Sequence, residues 1–148
     1  MITVSLLEEE EIAQFKKTCQ HGLYEYSAPS ESFRERTTSH FQQIKRQEKY
    51  GIYVVRQRDT REVLYIGKSG TIDSQGQFKG QDIPGRLKNV KGDVPANKWF
   101  RYLVQEKGPI VIEYIFLSKP KSPAFVEAVL LQAYLNEHHR LPYKNKSF

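Results

Sequence analysis

The sequence predicts an α/β protein of the α+β kind: a small, three-stranded, mainly antiparallel sheet flanked by helices, with a helical extension before it. Three observations lead there. Residues 51–67 read GIYVVRQRDTREVLYIG, two runs of β-branched and aromatic residues around a polar middle, which is the pattern of a β-hairpin. The run Ile110–Leu117 is the densest in such residues and supplies a third strand. Stretches with helix caps and helical spacing lie on both sides of that strand.

The elements are taken in chain order. Leu6 to Gln20 reads as a helix with Glu8–Glu11 near its start and Lys16–Lys17 near its end, charges that suit the helix dipole. Leu23 to Ser30 is rich in turn residues and is expected as a loop. Ser30 or Ser32 then caps a second helix from about Phe33 to Lys49. Residues 1–48 hold few large apolar side chains and form an extension that packs on the main domain. Residues 49–148 form that domain. In it, the polar run Arg56–Glu62 turns the hairpin in water. Ser69–Gly80 is a Gly/Ser-rich loop, either a substrate-contacting loop or a tolerated surface insertion. Asp82 caps a short helix through Val90 with Pro84 in its first turn. A helix over Asn97–Glu106 turns Trp99, Phe100 and Leu103 inward. Ser122 and Pro123 open a last helix running to about His138.

Composition narrows the class. The chain has 148 residues, 39% of them hydrophobic, enough for one compact domain with a modest core. Its single cysteine, Cys19, excludes an intrachain disulfide and a cysteine-based zinc site. No apolar run reaches the ~20 residues of a membrane span, and MITVSLLEEEE lacks the basic-then-apolar order of a secretory signal. A soluble, intracellular, cytoplasmic protein without a membrane partner is expected. The net charge of +6 is unevenly spread. Residues 1–48 carry six Lys and Arg against eight Asp and Glu, a net of −2, and residues 49–148 carry 17 against nine, a net of +8. A positive field of this kind attracts polyanions such as nucleic acid.

Several residues stand out for chemistry. Antiparallel pairing of the two hairpin runs brings Tyr53 and Tyr65 together at one end, beside Lys68. Glu127 lies among Phe125, Val126, Ala128, Val129, Leu130 and Leu131. A carboxylate in such a helix is costly unless it is paired, opens onto a cleft or holds a cation. Arg86 or a metal ion meets that need, and a purely structural Glu–Arg pair is the plain alternative. Glu113 is the other embedded carboxylate, expected on the far face of its strand or paired with a base.

The tripeptides Gly51-Ile52-Tyr53 and Tyr65-Ile66-Gly67, eleven residues apart, resemble the GIY-YIG nuclease family. So do three later elements in the same order: Gly85-Arg86-Leu87, Glu127 in its helix, and Asn145 in Pro142-Tyr-Lys-Asn145. The resemblance covers about Tyr50 to Asn145 and leaves residues 1–48 outside it.

It implies a GIY-YIG fold and a metal-dependent endonuclease that hydrolyses DNA phosphodiesters. Tyr53, Tyr65, Lys68, Arg86, Glu127 and Asn145 are the implied catalytic residues. Glu127 would hold one Mg²⁺ or Mn²⁺, a hard cation that keeps most of its waters. Arg86 would stabilise the phosphate as its charge grows. Tyr53 would act as base toward the attacking water or position it, its pKa lowered by nearby cations. Asn145 would orient a backbone segment or the glutamate. Small size points to a stand-alone restriction-like enzyme, dimerising or acting twice to cut both strands. The alternatives are a repair or mobile-element nuclease and a non-cutting nucleic-acid-binding module. One departure keeps the last open. Many family members place a histidine or tyrosine one helical turn after the arginine, and Val90 stands there. Lys68 could substitute, as a desolvated proton acceptor or as a charge acting on Tyr53.

Overall fold

The computed structural model describes residues 6–27 and 31–148. In chain order the elements are α1 (Leu6–Thr18), β1 (His21–Tyr26), α2 (Phe33–Gln42), β2 (Gly51–Gln57), β3 (Val63–Ser69), β4 (Thr71–Ile72), β5 (Phe78–Lys79), α3 (Ile83–Leu87), α4 (Ala96–Lys107), β6 (Ile110–Phe116) and α5 (Pro123–His138). The class is α+β with an antiparallel sheet, as expected. The main sheet has four strands, not three, in the order β1-β6-β2-β3.

The extra strand comes from the N-terminal segment. His21–Tyr26 pairs antiparallel with all of β6 but its last residue, from His21 opposite Ile115 to Tyr26 opposite Ile110. The expected loop from Leu23 is therefore largely a strand. Tyr24 and Tyr26 alternate inward while Leu23 and Glu25 face out, the period of a half-buried strand. This segment is thus part of the sheet as well as a helical extension.

Helices cover both faces of the sheet. On one face α2, α3 and α4 bring Phe33, Phe41, Ile83, Leu87, Phe100 and Leu103 against Tyr53, Val55, Ile112 and Tyr114. Phe33 and Phe100 stack at 3.6 Å between ring centroids. On the other face α1 and α5 bring Ile12, Val126, Leu130 and Tyr134 against Ile52, Val54, Ile66 and Ile115. Being covered twice explains why β2 and β6 read as nearly continuous apolar runs rather than alternating ones.

The helix starts obey their caps. Ser32 Oγ accepts from the Glu35 N–H at 3.0 Å, Asp82 Oδ1 from Gly85 N–H at 2.9 Å, and Ser122 Oγ from Phe125 N–H at 3.3 Å. Ser30, the other candidate cap for α2, lies outside the described residues. The second helix is shorter than expected and stops at Gln42. Beyond it the backbone is used elsewhere: Lys49 C=O accepts from Ile83 N–H and Tyr50 C=O from Leu117 N–H, each at 2.8 Å. These bonds bring the chain into the sheet at Gly51. The Ser69–Gly80 loop also departs from expectation. It folds into the small β4–β5 hairpin, anchored by Phe78 stacked on Tyr50 at 5.0 Å and by Lys119 donating to Gln77 at 2.7 Å. No helix among the described residues is long and apolar enough to cross a membrane.

Candidate functional site

The hairpin register places the two tyrosines diagonally. Tyr53 lies opposite Gly67, and Tyr65 opposite Val55. Diagonal neighbours on one face are within reach of aromatic rings, and these two have centroids 6.1 Å apart. A bulge between Val55 and Arg56 leaves Leu64 as the extra residue of β3. Leu64 and Tyr65 both join the same core face as a result. Leu64 fills that core, and Tyr65 packs edge-on against Trp99 at 5.5 Å.

Gly67 has a definite reason. The ring of Tyr53 lies across its Cα, so a Cβ there would come within 2.5 Å of Tyr53 Cζ and 2.6 Å of Oη. Tyr53 is completely buried, and among the described residues its hydroxyl makes no well-formed hydrogen bond, interacting only weakly with the Tyr65 phenol beside it.

β3 is an edge strand, and the site forms around its free edge where the two helical layers meet. Arg86 comes from α3 on one side and Glu127 from α5 on the other. Two cavities flank them. One, of about 270 Å³, has Tyr65, Lys68, Lys79, Gln81, Arg86 and Glu127 in its wall. The second, of about 380 Å³, is walled by Tyr65, Arg86, Lys91, Trp99, Glu127 and Asn145 among others. Tyr65, Arg86 and Glu127 line both. They form a ridge in a basic groove in which, among the described residues, Glu127 is the one lining carboxylate side chain.

The charges of the cluster act on one another. Partial burial raises the Glu127 pKa, opposed by Lys68 and Arg86. Among the described residues Glu127 makes no hydrogen bond or close ion pair. A half-buried carboxylate whose oxygens are committed to no other group, facing a cavity, fits one hard cation. It is not the structural Glu–Arg pair. The phenol of Tyr53 departs from expectation. Burial pushes its pKa well above the usual tyrosine range, the neighbouring Tyr65 adds to this, and Arg86 only partly opposes them. The expected lowering by cations is not found, because desolvation outweighs them. Tyr65 is also raised by burial and pulled down by Arg86.

Asn145 acts on the backbone. Its Oδ1 accepts from the Ile66 N–H and its Nδ2 donates to the Ile66 C=O, both at 2.9 Å. Lys144 N–H donates to Leu64 C=O at 2.8 Å. The C-terminal tail therefore closes the edge of β3 beside the site and fixes the strand that carries Tyr65. Glu113 is on the sheet face covered by α1 and α5, on β6 and so away from the β3 edge, ion-paired with Lys16 and with Arg56 Nε. It lines neither cavity of the groove.

Val90 is 51% exposed and has no polar group to offer. The next residue, Lys91, does not stand out in the sequence. Its Nζ donates to the Arg86 C=O at 2.8 Å. Burial, then the charge of Arg86, lowers its pKa to about 8. The sequence signal is slight, a lysine five residues after the arginine and outside the expected helical turn.

No protein-family model, curated protein or solved structure matches the chain.

Proposed function

We propose that the chain is a metal-dependent DNA endonuclease of the GIY-YIG type. The observation that carries this is the ridge at the edge of β3, where Tyr65, Arg86 and an uncommitted Glu127 stand over two basic cavities, with Tyr53 buried behind Tyr65. A structural ion pair does not explain the uncommitted carboxylate.

In this proposal Glu127 holds a single Mg²⁺ or Mn²⁺, which supplies Lewis acidity toward the phosphate and the leaving oxygen. The protein's own groups do the rest. Arg86 neutralises charge on the non-bridging oxygens as it grows. Lys68, in the wall beside Glu127, adds positive potential where the strand enters. Tyr53 is held protonated and buried, outside both cavity walls, so it supports Tyr65 from behind; the Tyr65 phenol, which lines both cavities, would orient the attacking water by hydrogen bonding. Water oxygen bonds to phosphorus and the bond from phosphorus to the 3′ oxygen breaks; of the water's two protons one ends on the 3′ oxygen, exchanged through solvent in the open groove, and the other is released to solvent. The products are a 5′-phosphate and a 3′-hydroxyl. Asn145 keeps the Tyr65 strand in register without touching substrate.

A stand-alone, restriction-like role suits the N-terminal segment, which is built into the sheet rather than set apart as a recognition module. With one site per chain, cutting both strands takes a dimer or two visits. One observation favours a second reading, a module that grips nucleic acid without cutting it: Val90 offers no proton-handling group and Tyr53 is no ready base. Glu127→Ala separates the two. In the nuclease, cutting disappears while DNA affinity in chelator is unchanged or improved, because a negative charge facing phosphate has gone. If the wild type cuts nothing and Glu127→Ala changes nothing else, the binding module stands.

A further inference from the structure

Past Arg86, the larger cavity contains a cation for which the proposed hydrolysis has no use. Lys91 forms part of its wall together with Tyr65, Arg86 and Glu127. Several contacts hold it in place. The backbone of Lys91 is bridged to Val94 in both directions, at 2.8 and 3.0 Å. Its Nζ lies 5.8 Å over the Phe100 ring and donates at 2.8 Å to the carbonyl of Arg86. The ammonium is thus tied to the backbone of the residue that bears the guanidinium.

Two cations side by side are unfavourable unless an anion joins them. Among the described residues no carboxylate is ion-paired with Lys91. The side chains sharing its cavity that can carry charge are Tyr65 from β3, Arg86 from α3, Glu127 from α5, and Lys144 and Lys146 from the tail, so cationic side chains outnumber the one side-chain carboxylate among the described residues. An ammonium has three donors. One is spent on Arg86 and another points to the Asn89 carbonyl at a marginal 3.5 Å. At least one remains for a ligand.

We propose that Lys91 is a second cationic contact for the phosphate held by Arg86, supplying from the next residue the polar group that Val90 lacks. This rests on the phosphodiester reading of the same site. The ligand class is a phosphodiester oxygen, met by Arg86 from one side and by Lys91 from the other. Lysine acts here as a charge and hydrogen-bond donor, not as a base.

Binding of labelled duplex DNA in chelator tests this apart from catalysis, using wild type, Lys91→Met and Lys91→Arg at about pH 6.5 and about pH 9.5, on either side of the lowered lysine pKa. Wild-type affinity should fall at the higher pH as Lys91 loses its charge. Lys91→Arg should bind well at both, and Lys91→Met should bind about tenfold more weakly at the lower pH, with little further loss on raising it. Its salt slope should be shallower by about one ion. Thermal melting identifies a variant that fails to fold, and the wild-type against Lys91→Arg comparison then decides alone. Equal affinity and equal salt slope for wild type and Lys91→Met would overturn the proposal. So would a wild-type affinity that holds or rises at the higher pH. Wild-type cutting with an unaffected Lys91→Met sinks this inference only, whereas a wild type that neither binds nor cuts DNA sinks the function it rests on.

Discussion

The side-chain amide of Asn145 pairs with both backbone groups of Ile66, accepting from its N–H and donating to its C=O at 2.9 Å each. An asparagine thus stands in for a neighbouring strand at the exposed edge of β3, beside the ridge of Tyr65, Arg86 and Glu127. Removing it should loosen the strand that holds Tyr65. Asn145→Ala should lower stability by about 1–2 kcal/mol and lower kcat with little change in DNA affinity. Asn145→Asp keeps the size, loses the donor and sets a carboxylate against a carbonyl, so it should be no better. Urea unfolding and single-turnover cleavage read the two effects.

Tyr53 leads to a prediction of opposite signs. Its hydroxyl is buried with no well-formed hydrogen bond and only the Tyr65 phenol beside it, so Tyr53→Phe removes a costly buried group and keeps the ring. Stability should hold or rise by about 1 kcal/mol, while cleavage falls because Tyr65 loses the phenol behind it. Gly67→Ala should do structural harm instead, since the new methyl meets the Tyr53 ring at 2.5 Å. A loss of about 1–3 kcal/mol is expected, read by denaturant midpoint.

The carboxylate of Glu127 should show in the pH dependence of stability. Burial raises its pKa in the folded state, so folding favours the protonated form. Its contribution is most favourable below the unfolded carboxyl pKa and is lost as the pH rises through the folded one. Glu127→Gln should therefore be more stable than wild type at about pH 8, and the gap should close as the pH falls through the carboxyl range. Mg²⁺ should raise the melting temperature of wild type and leave Glu127→Gln where it is.

Glu113 provides the control. It is bound by Lys16 and Arg56 under α1, two strands away from the β3 edge. Glu113→Gln should cost on the order of 2–3 kcal/mol, because it unbalances a largely buried ion cluster whose lysine is partly exposed. Cleavage by the folded fraction should be unchanged, with the same dependence on Mg²⁺.

Much of the fold is legible in the sequence where signals are long or strongly capped. Ser122 and Pro123 mark the start of α5, Asp82 that of α3, and the GIY and YIG runs become β2 and β3. β1 escapes because its inward alternation rests on Tyr24 and Tyr26 alone, beside Gly22 and a turn-rich stretch. Only pairing with β6 makes a strand of it. The β4–β5 hairpin has two residues in each strand and is held by Tyr50, a contact no local pattern reveals. At the candidate site, the grouping of Tyr65, Lys68, Arg86 and Glu127 around one cavity is legible and the electrostatics are not. The nearby cations are visible in the sequence, but the complete burial of Tyr53 that outweighs them depends on packing. Lys91 escapes for the same reason, since its nearness to Arg86 depends on how the chain turns after α3.

Glu127 and its neighbours, on this proposal, form a metal-dependent phosphodiesterase site. Incubating the purified chain with a panel of supercoiled plasmid and large phage DNA, in Mg²⁺ or Mn²⁺ and beside Glu127→Ala and chelator controls, tests it most directly. The expected result is discrete nicks or fragments with 5′-phosphate and 3′-hydroxyl ends that vanish in both controls. Intact DNA across the whole panel, from a folded wild-type protein that still binds DNA in a salt-sensitive way, would contradict it.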